Sequence, residues 1–199
     1  GNGTLGISLA AGTAADLAGN TAPAAGPSST FTVDNTPPGV SIGSPSTSFT
    51  ASGPVTYAVN YADVNFGAST LSTASVTLNP TGSANGTLSV AGNGTNWTVT
   101  IANIVGNGTL GISLAAATAS DLAGNLAPSA TSGTFTVDNT APNVSISAPS
   151  APITAGGPVS YTVSFADVNF NASSLTSGNV TLNNTGTANG TVTVTGGGT

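Results

Sequence analysis

The sequence predicts an all-β chain of tandem sandwich repeats, and three observations predict it. Apolar residues alternate with polar ones: Val55, Tyr57, Val59 and Tyr61 are interleaved with Thr56, Ala58 and Asn60. This is the pattern of a strand with one buried face. Clusters of Gly, Pro, Asn and Ser punctuate the chain at the spacing of turns between short strands. Finally, the sequence repeats itself over a distance close to the size of one sandwich domain.

The repeat is visible in several blocks. GNGTLGISLAAGTAADLAGN at 1–20 returns as GNGTLGISLAAATASDLAGN at 106–125, an offset of 105. FTVDNTPP at 31–38 returns as FTVDNTAP at 135–142, an offset of 104. GPVTYAVNYADVNF at 53–66 and SANGTLSV at 83–90 return at 157–170 and 187–194. The reading is therefore one complete repeat at 35–138, the back part of a preceding repeat at 1–34, and the front part of a following one at 139–199. The tail GGGT matches GNGT at 92–95, so ten residues equivalent to 96–105 would close a second period. Either a longer array continues beyond this segment, or incomplete repeats complement each other between neighbouring chains.

Within the complete repeat the alternation marks seven strands. Val40 and Ile42 mark strand A. Val55 to Tyr61 mark B, Val76 and Leu78 C, and Leu88 and Val90 D. Trp97, Val99 and Ile101 mark E, Leu110, Ile112 and Leu114 F, and Phe135 and Val137 G. No ten-residue stretch has a helical period, although ATASDLAGN has room for a single turn. Seven strands in about 104 residues match the immunoglobulin-type sandwich. The chain has no Cys, so apolar packing replaces the disulfide of antibody domains. Trp97 falls on E rather than C and is expected to anchor the core, with carbohydrate stacking as the lesser alternative.

Composition narrows the function. There is no Lys, Arg, His, Cys, Met or Glu, and the six acidic residues are all Asp, giving a formal net charge of −6. Nucleic acid and anionic membranes are unsuitable partners, since neutralising phosphates takes Lys or Arg. No apolar run approaches the roughly 20 residues of a membrane span. The inventory offers no ordinary catalytic triad, zinc cluster or Schiff-base lysine. An Asp pair can serve a glycosidase, but each Asp here sits in a duplicated loop, and catalytic pairs are seldom copied into every unit of an array. GNG lacks the Lys and the strand–helix context of a phosphate loop. Thr-rich segments such as TVTVTG fit an ice-binding face no better than any half-exposed sheet. The N-x-S/T sequons, Asn85, Asn93, Asn96, Asn107, Asn143, Asn171 and Asn189 among them, read as bare polar surface unless the chain meets a glycosylating host.

The aspartates carry the chemistry. Each period contributes one in VDNT, one in ADVNF and one in DLAGN. On the expected topology Asp34 enters strand A, Asp63 lies in the BC loop and Asp121 in the FG loop. These three places share one pole of a seven-strand sandwich. Carboxylates gathered there repel, and the chain has no basic side chain to balance them. A hard divalent cation would, and Ca²⁺ takes 6–8 oxygen ligands from carboxylates, carbonyls and amides. Asn35, Asn65 and Asn125 lie beside the same aspartates and are candidate ligands, while Pro37 and Pro38 would stiffen the hinge. Asp138 and Asp167 are expected to form the equivalent site of the following repeat, with Asp16 of a neighbouring molecule as its third member. The alternative is that Asp and Asn only form turns by bonding their own backbone.

The order FTVDNTAP, DLAGN and a β period of about 100 residues resembles the bacterial Ig-like repeats of large surface adhesins and biofilm proteins. The resemblance implies an extracellular stalk of many copies, holding a terminal binding module away from the cell, with calcium stiffening the junctions in several such families. Two functions follow as expectations: a spacer repeat whose partners are the neighbouring repeats, or a subunit of an extracellular filament or sheath whose partners are other copies of the chain. One consequence needs only the composition. With no Lys or Arg, the full-length band is expected to survive trypsin on a denaturing gel even when the chain is unfolded beforehand, while chymotrypsin degrades it. A tryptic ladder would contradict this.

Overall fold

The structure, a computed structural model, describes residues 1–197. It is nearly all β and divides into two units, Gly1–Asn139 and Thr140–Thr199. The first unit holds β1 (Gly3–Leu5), β2 (Phe31–Val33), β3 (Gly39–Ile42), β4 (Phe49–Thr50), β5 (Val55–Ala62), β6 (Phe66–Ser69) and β7 (Val76–Pro80). It continues with β8 (Asn85–Asn93), β9 (Asn96–Val105), β10 (Gly108–Leu114), β11 (Ala119–Asp121), β12 (Ala130–Thr131) and β13 (Phe135–Val137). The second unit holds β14 (Asn143–Ile146) and β15 (Val163–Ala166). No helix among the described residues is long and apolar enough to cross a membrane.

Two larger sheets form the body of the first unit, beside the two-stranded pairs β1-β2 and β6-β11. One has the order β3-β5-β9-β8, every pair antiparallel. In the other, β10 is central: it pairs β7 on one side and both β12 and β13 on the other, and β4 adds to β13 in parallel. The long β8–β9 hairpin turns through Gly94 and Thr95, with Gly94 at φ +54°, a left-handed conformation that glycine adopts without a Cβ penalty. Period-two alternation places Val55, Tyr57, Val59, Val99 and Ile101 of the first sheet in one cluster with Leu110, Ile112, Leu114, Phe135 and Val137 of the second. Each strand is apolar on one face only, so the two faces find cover in each other.

Tyr57 joins the two sheets. Its ring meets Phe135 with centroids 6.4 Å apart, and its hydroxyl donates to the Gly133 carbonyl at 2.9 Å. A buried phenol needs such a partner, because an unsatisfied hydroxyl costs about 1–3 kcal/mol. Burial also pushes the Tyr57 phenol above its ordinary pKa, against a side-chain hydrogen bond with Ser132. Trp97 is partly buried against the core, its indole N–H donating to Ser69 Oγ at 2.9 Å and to the Gly94 carbonyl at 3.1 Å.

Four short elements of this unit escape the sequence pattern: β4, β6, β11 and β12. Two to four residues are too few for a period to show. The segment ATASDLAGN forms β11 and a turn rather than a helical turn, because β6 offers it an edge to pair with. A 3₁₀ turn at Thr73–Ser75 also lies outside the alternating pattern; Ser72 and Ser75 close it with reciprocal bonds.

The sequence repeats recur in register. β1 and β2 pair Gly3↔Val33 and Leu5↔Phe31, as β10 and β13 pair Gly108↔Val137 and Leu110↔Phe135. β14 and β15 pair Val144↔Phe165 and Ile146↔Val163, as β3 and β5 pair Val40↔Tyr61 and Ile42↔Val59. What differs is cover. Ile112 is 0% exposed and its sequence equivalent Ile7 is 71% exposed. The expected consequence is that Ile112→Ala, which opens a core cavity, costs about 2–5 kcal/mol, whereas Ile7→Ala stays within about 0.5 kcal/mol. Urea unfolding of the dilute chain, followed through Trp97 fluorescence, measures both.

Candidate functional site

The site is built where β2 ends and β3 has yet to begin. Asp34 follows β2, Asp63 follows β5, and Asp121 closes β11. One carboxylate oxygen from each lies within 4.8 Å of the other two, with Asp121 buried and Asp34 and Asp63 half-buried. Three segments far apart in sequence thus converge at the place where the chain passes from the first hairpin to the β3–β13 body.

Each carboxylate is held locally. Asp63 Oδ1 accepts the Asn65 backbone N–H at 2.7 Å, and Asp34 Oδ1 accepts that of Thr36 at 3.0 Å, both turns in which an Asp bonds its own chain two residues on. Asp121 Oδ1 accepts the Asn125 N–H at 2.8 Å and its Oδ2 accepts the Asn125 side-chain amide at 2.7 Å. Gly124, at φ +91°, lets the loop double back so that Asn125 faces Asp121; an L side chain there would be strained. The same turn forms at Asp16, whose carboxylate accepts Ala18 N–H, Asn20 N–H and the Asn20 amide at 2.8–2.9 Å. DLAGN is therefore a self-sufficient turn.

Two asparagines stitch the site together. The Asn65 amide donates to Asp34 Oδ2 at 2.7 Å, and the Asn125 amide donates to the Asp34 carbonyl at 3.0 Å. Leu122 N–H donates to the Asn65 carbonyl at 2.8 Å, tying the two loops directly. As the amides stand, they present N–H groups to the carboxylates rather than oxygens to a cation. A half-turn about the terminal side-chain bond exchanges the two, since amide O and N occupy nearly equivalent positions.

The other candidates lie elsewhere. Asn35 turns back to the first hairpin: its N–H donates to Asn2 Oδ1 and its amide to the Gly1 carbonyl, both at 2.8 Å. Asn139 repeats this with Asn107 and the Gly106 carbonyl at 2.6 Å. Asp16 is exposed in its own turn. Asp138 belongs to the first unit, its N–H donating to the Thr50 carbonyl at 3.0 Å. Asp167, in the second unit, accepts the Asn169 N–H at 2.7 Å, as Asp63 accepts that of Asn65. Pro38 is buried and Pro37 exposed.

Sequence reasoning missed the strand that carries Asp121 inward. β11 pairs β6 closely enough that a Cβ on Gly67 would lie 2.9 Å from the Asp121 carbonyl carbon. The signal was available: a lone Gly beside an apolar pair marks a close backbone approach.

No protein-family model, curated protein or solved structure matches the chain.

The electrostatics of Asp121 give a pH dependence. Desolvation pushes its carboxyl up, but hydrogen bonds from the Asn125 side chain and N–H, and from the Ala123 and Gly124 N–H groups, outweigh it and hold the pKa below 3.8. The folded form thus binds its proton less readily than the unfolded chain. Its contribution to stability is complete above about pH 4 and lost as pH falls through the lower folded value. The urea midpoint is expected to be flat from pH 7 to about 5 and to fall below about 4. Asn125→Ala removes one of the bonds that lower the pKa, so the stability lost below about pH 4 should be smaller than in the unsubstituted chain; superimposable limbs would contradict the assignment.

Proposed function

We propose that the chain is a stretch of tandem immunoglobulin-like repeats serving as a non-enzymatic extracellular spacer, its inter-repeat junction rigidified by Ca²⁺. The observation that carries this reading is the convergence of Asp34, Asp63 and Asp121 within 4.8 Å in a chain that has no Lys, Arg or His. One of the three lies on the linker and the other two on the body that follows it. A cation bound among them would fix one to the other.

The strand order supports the immunoglobulin-like part. With β3, β5, β9 and β8 taken as A, B, E and D, and β7, β10 and β13 as C, F and G, the two sheets read ABED and CFG, the constant-type arrangement. β4, parallel to β13, adds to the G edge. The recurrence of β1–β2 and β14–β15 in the registers of β10–β13 and β3–β5 supports the array. The resemblance to repeats of bacterial surface adhesins supplies the extracellular setting and the stalk.

The donor set suits a hard cation. Carboxylate and amide oxygens are what Ca²⁺ prefers, and its flexible coordination tolerates the loop geometry. Asp34, Asp63 and Asp121 would hold it, with Asn65 and Asn125 turning their amide oxygens inward. The ion would remove the mutual repulsion that the asparagine N–H groups now only soften. It would supply no chemistry beyond that cross-link.

Calorimetry with and without Ca²⁺ tests this. At a free concentration about 100 times Kd, a ligand of the folded form adds about 2.7 kcal/mol, or roughly 10–20 °C in Tm for a domain of about 100 residues. EDTA should reverse the shift and Asp63→Asn should reduce it. Coincident melts with EDTA and with millimolar Ca²⁺ would remove the metal from the reading.

A further inference from the structure

We infer that the chain pairs laterally with a second copy of itself, the outer edge of β8 in one copy adding antiparallel to the same edge in the other. β8 (Asn85–Asn93) is an outermost strand of its sheet, with β9 on one side only. Its two-residue turn to β9 makes Asn93 and Asn96 a hydrogen-bonded pair. By alternation Ala91 and Ser89 also bond β9, while the backbone N–H and C=O groups of Leu88, Val90 and Gly92 point away from it. Among the described residues, no hydrogen bond from elsewhere in the molecule reaches those groups.

The other edges of the two larger sheets are guarded. β3, at the far side of the same sheet, has four residues and follows Pro37 and Pro38. In the second sheet β4 and β12 have two residues each, and β7 has five and ends at Pro80. Short strands, proline and charged side chains are the ordinary protections against edge-to-edge pairing. β8 has nine residues, and none of them is charged or proline.

A second β8 fits this edge. With a two-fold axis at Ser89, Leu88 pairs with the partner's Val90 and Val90 with the partner's Leu88, so the outward groups of each strand satisfy those of the other. Leu88 and Val90 both pack against the core and are only partly buried, and pairing covers what the edge leaves open. On the solvent face Thr87, Ser89 and Ala91 are exposed, small and uncharged, and Ser89 meets the partner's Ser89 with nothing to repel it. None of the six Asp lies on β8. In the array proposed above the edge recurs, since SANGTLSV at 83–90 returns as TANGTVTV at 187–194. Side-by-side arrays would then meet once per period, and individually weak contacts would reinforce one another.

The chain has no Cys, which makes the seam addressable. Ser89 and the partner's Ser89 form a non-hydrogen-bonded pair, whose Cα atoms about 4.5 Å apart are within disulfide reach. Ser89→Cys is expected to oxidise to a linked dimer several-fold faster than Thr98→Cys, which is also exposed but lies on β9, one strand in from the edge. Sedimentation in EDTA reads the edge apart from the carboxylate site. There the unsubstituted chain should gain mass with concentration, Ser89→Lys and Ser89→Asp should each associate several-fold more weakly, and an equimolar mixture of the two should regain association. Equal cross-linking of the two cysteine variants overturns the proposal. So does a charge variant that associates as the unsubstituted chain does, a mixture no stronger than its components, or a single-chain mass at every concentration.

Discussion

A carboxylate in this chain has no basic side chain to turn to, and that constraint shapes the junction. Its partners are limited to backbone N–H groups, amides, hydroxyls and whatever cation the solvent supplies. Asn65 and Asn125 occupy the place that Arg or Lys takes elsewhere. An amide donor satisfies an oxygen without cancelling its charge, so the cluster remains a concentration of negative potential held in shape by hydrogen bonds from neutral donors. The geometry is stable enough to be defined and electrostatically incomplete, and the proposed calcium role grows from that combination.

The core explains why the same residues behave differently along the chain. Leu110, Ile112 and Leu114 are buried because β5 and β9 lie across from them; Leu5, Ile7 and Leu9 form the same sequence and are exposed. The hairpin register survives without that cover, since it is set by turn geometry and backbone pairing. Burial does not survive, because it belongs to the partner sheet. Local structure in this protein is thus a property of the repeat motif, and the core a property of two faces meeting.

Long strands with alternation were legible in the sequence: β5 shows it over its whole length, β9 through Trp97, Val99 and Ile101, and β10 through Leu110, Ile112 and Leu114. The convergence of Asp34, Asp63 and Asp121 was legible too, because strand order fixes which loops share a pole. What stayed hidden depended on single contacts. β6 and β11 are too short for periodicity, and their pairing rests on the missing Cβ of Gly67. Asn35 looked like its neighbours Asn65 and Asn125 in composition, yet its amide caps the start of the first hairpin. Adjacency to an aspartate says that a side chain is near a site; which way it points is decided by the nearest unsatisfied carbonyl.

The DLAGN turn joins these themes. At Asp16 it closes on itself while exposed, and at Asp121 it closes in the same way while buried. The carboxylate is therefore positioned by its own loop before any ligand arrives. Preformed loops lose little entropy on binding, so even modest interactions can cross-link them. In the proposed array each such turn would arrive folded at its joint, lacking only the charge that would lock it.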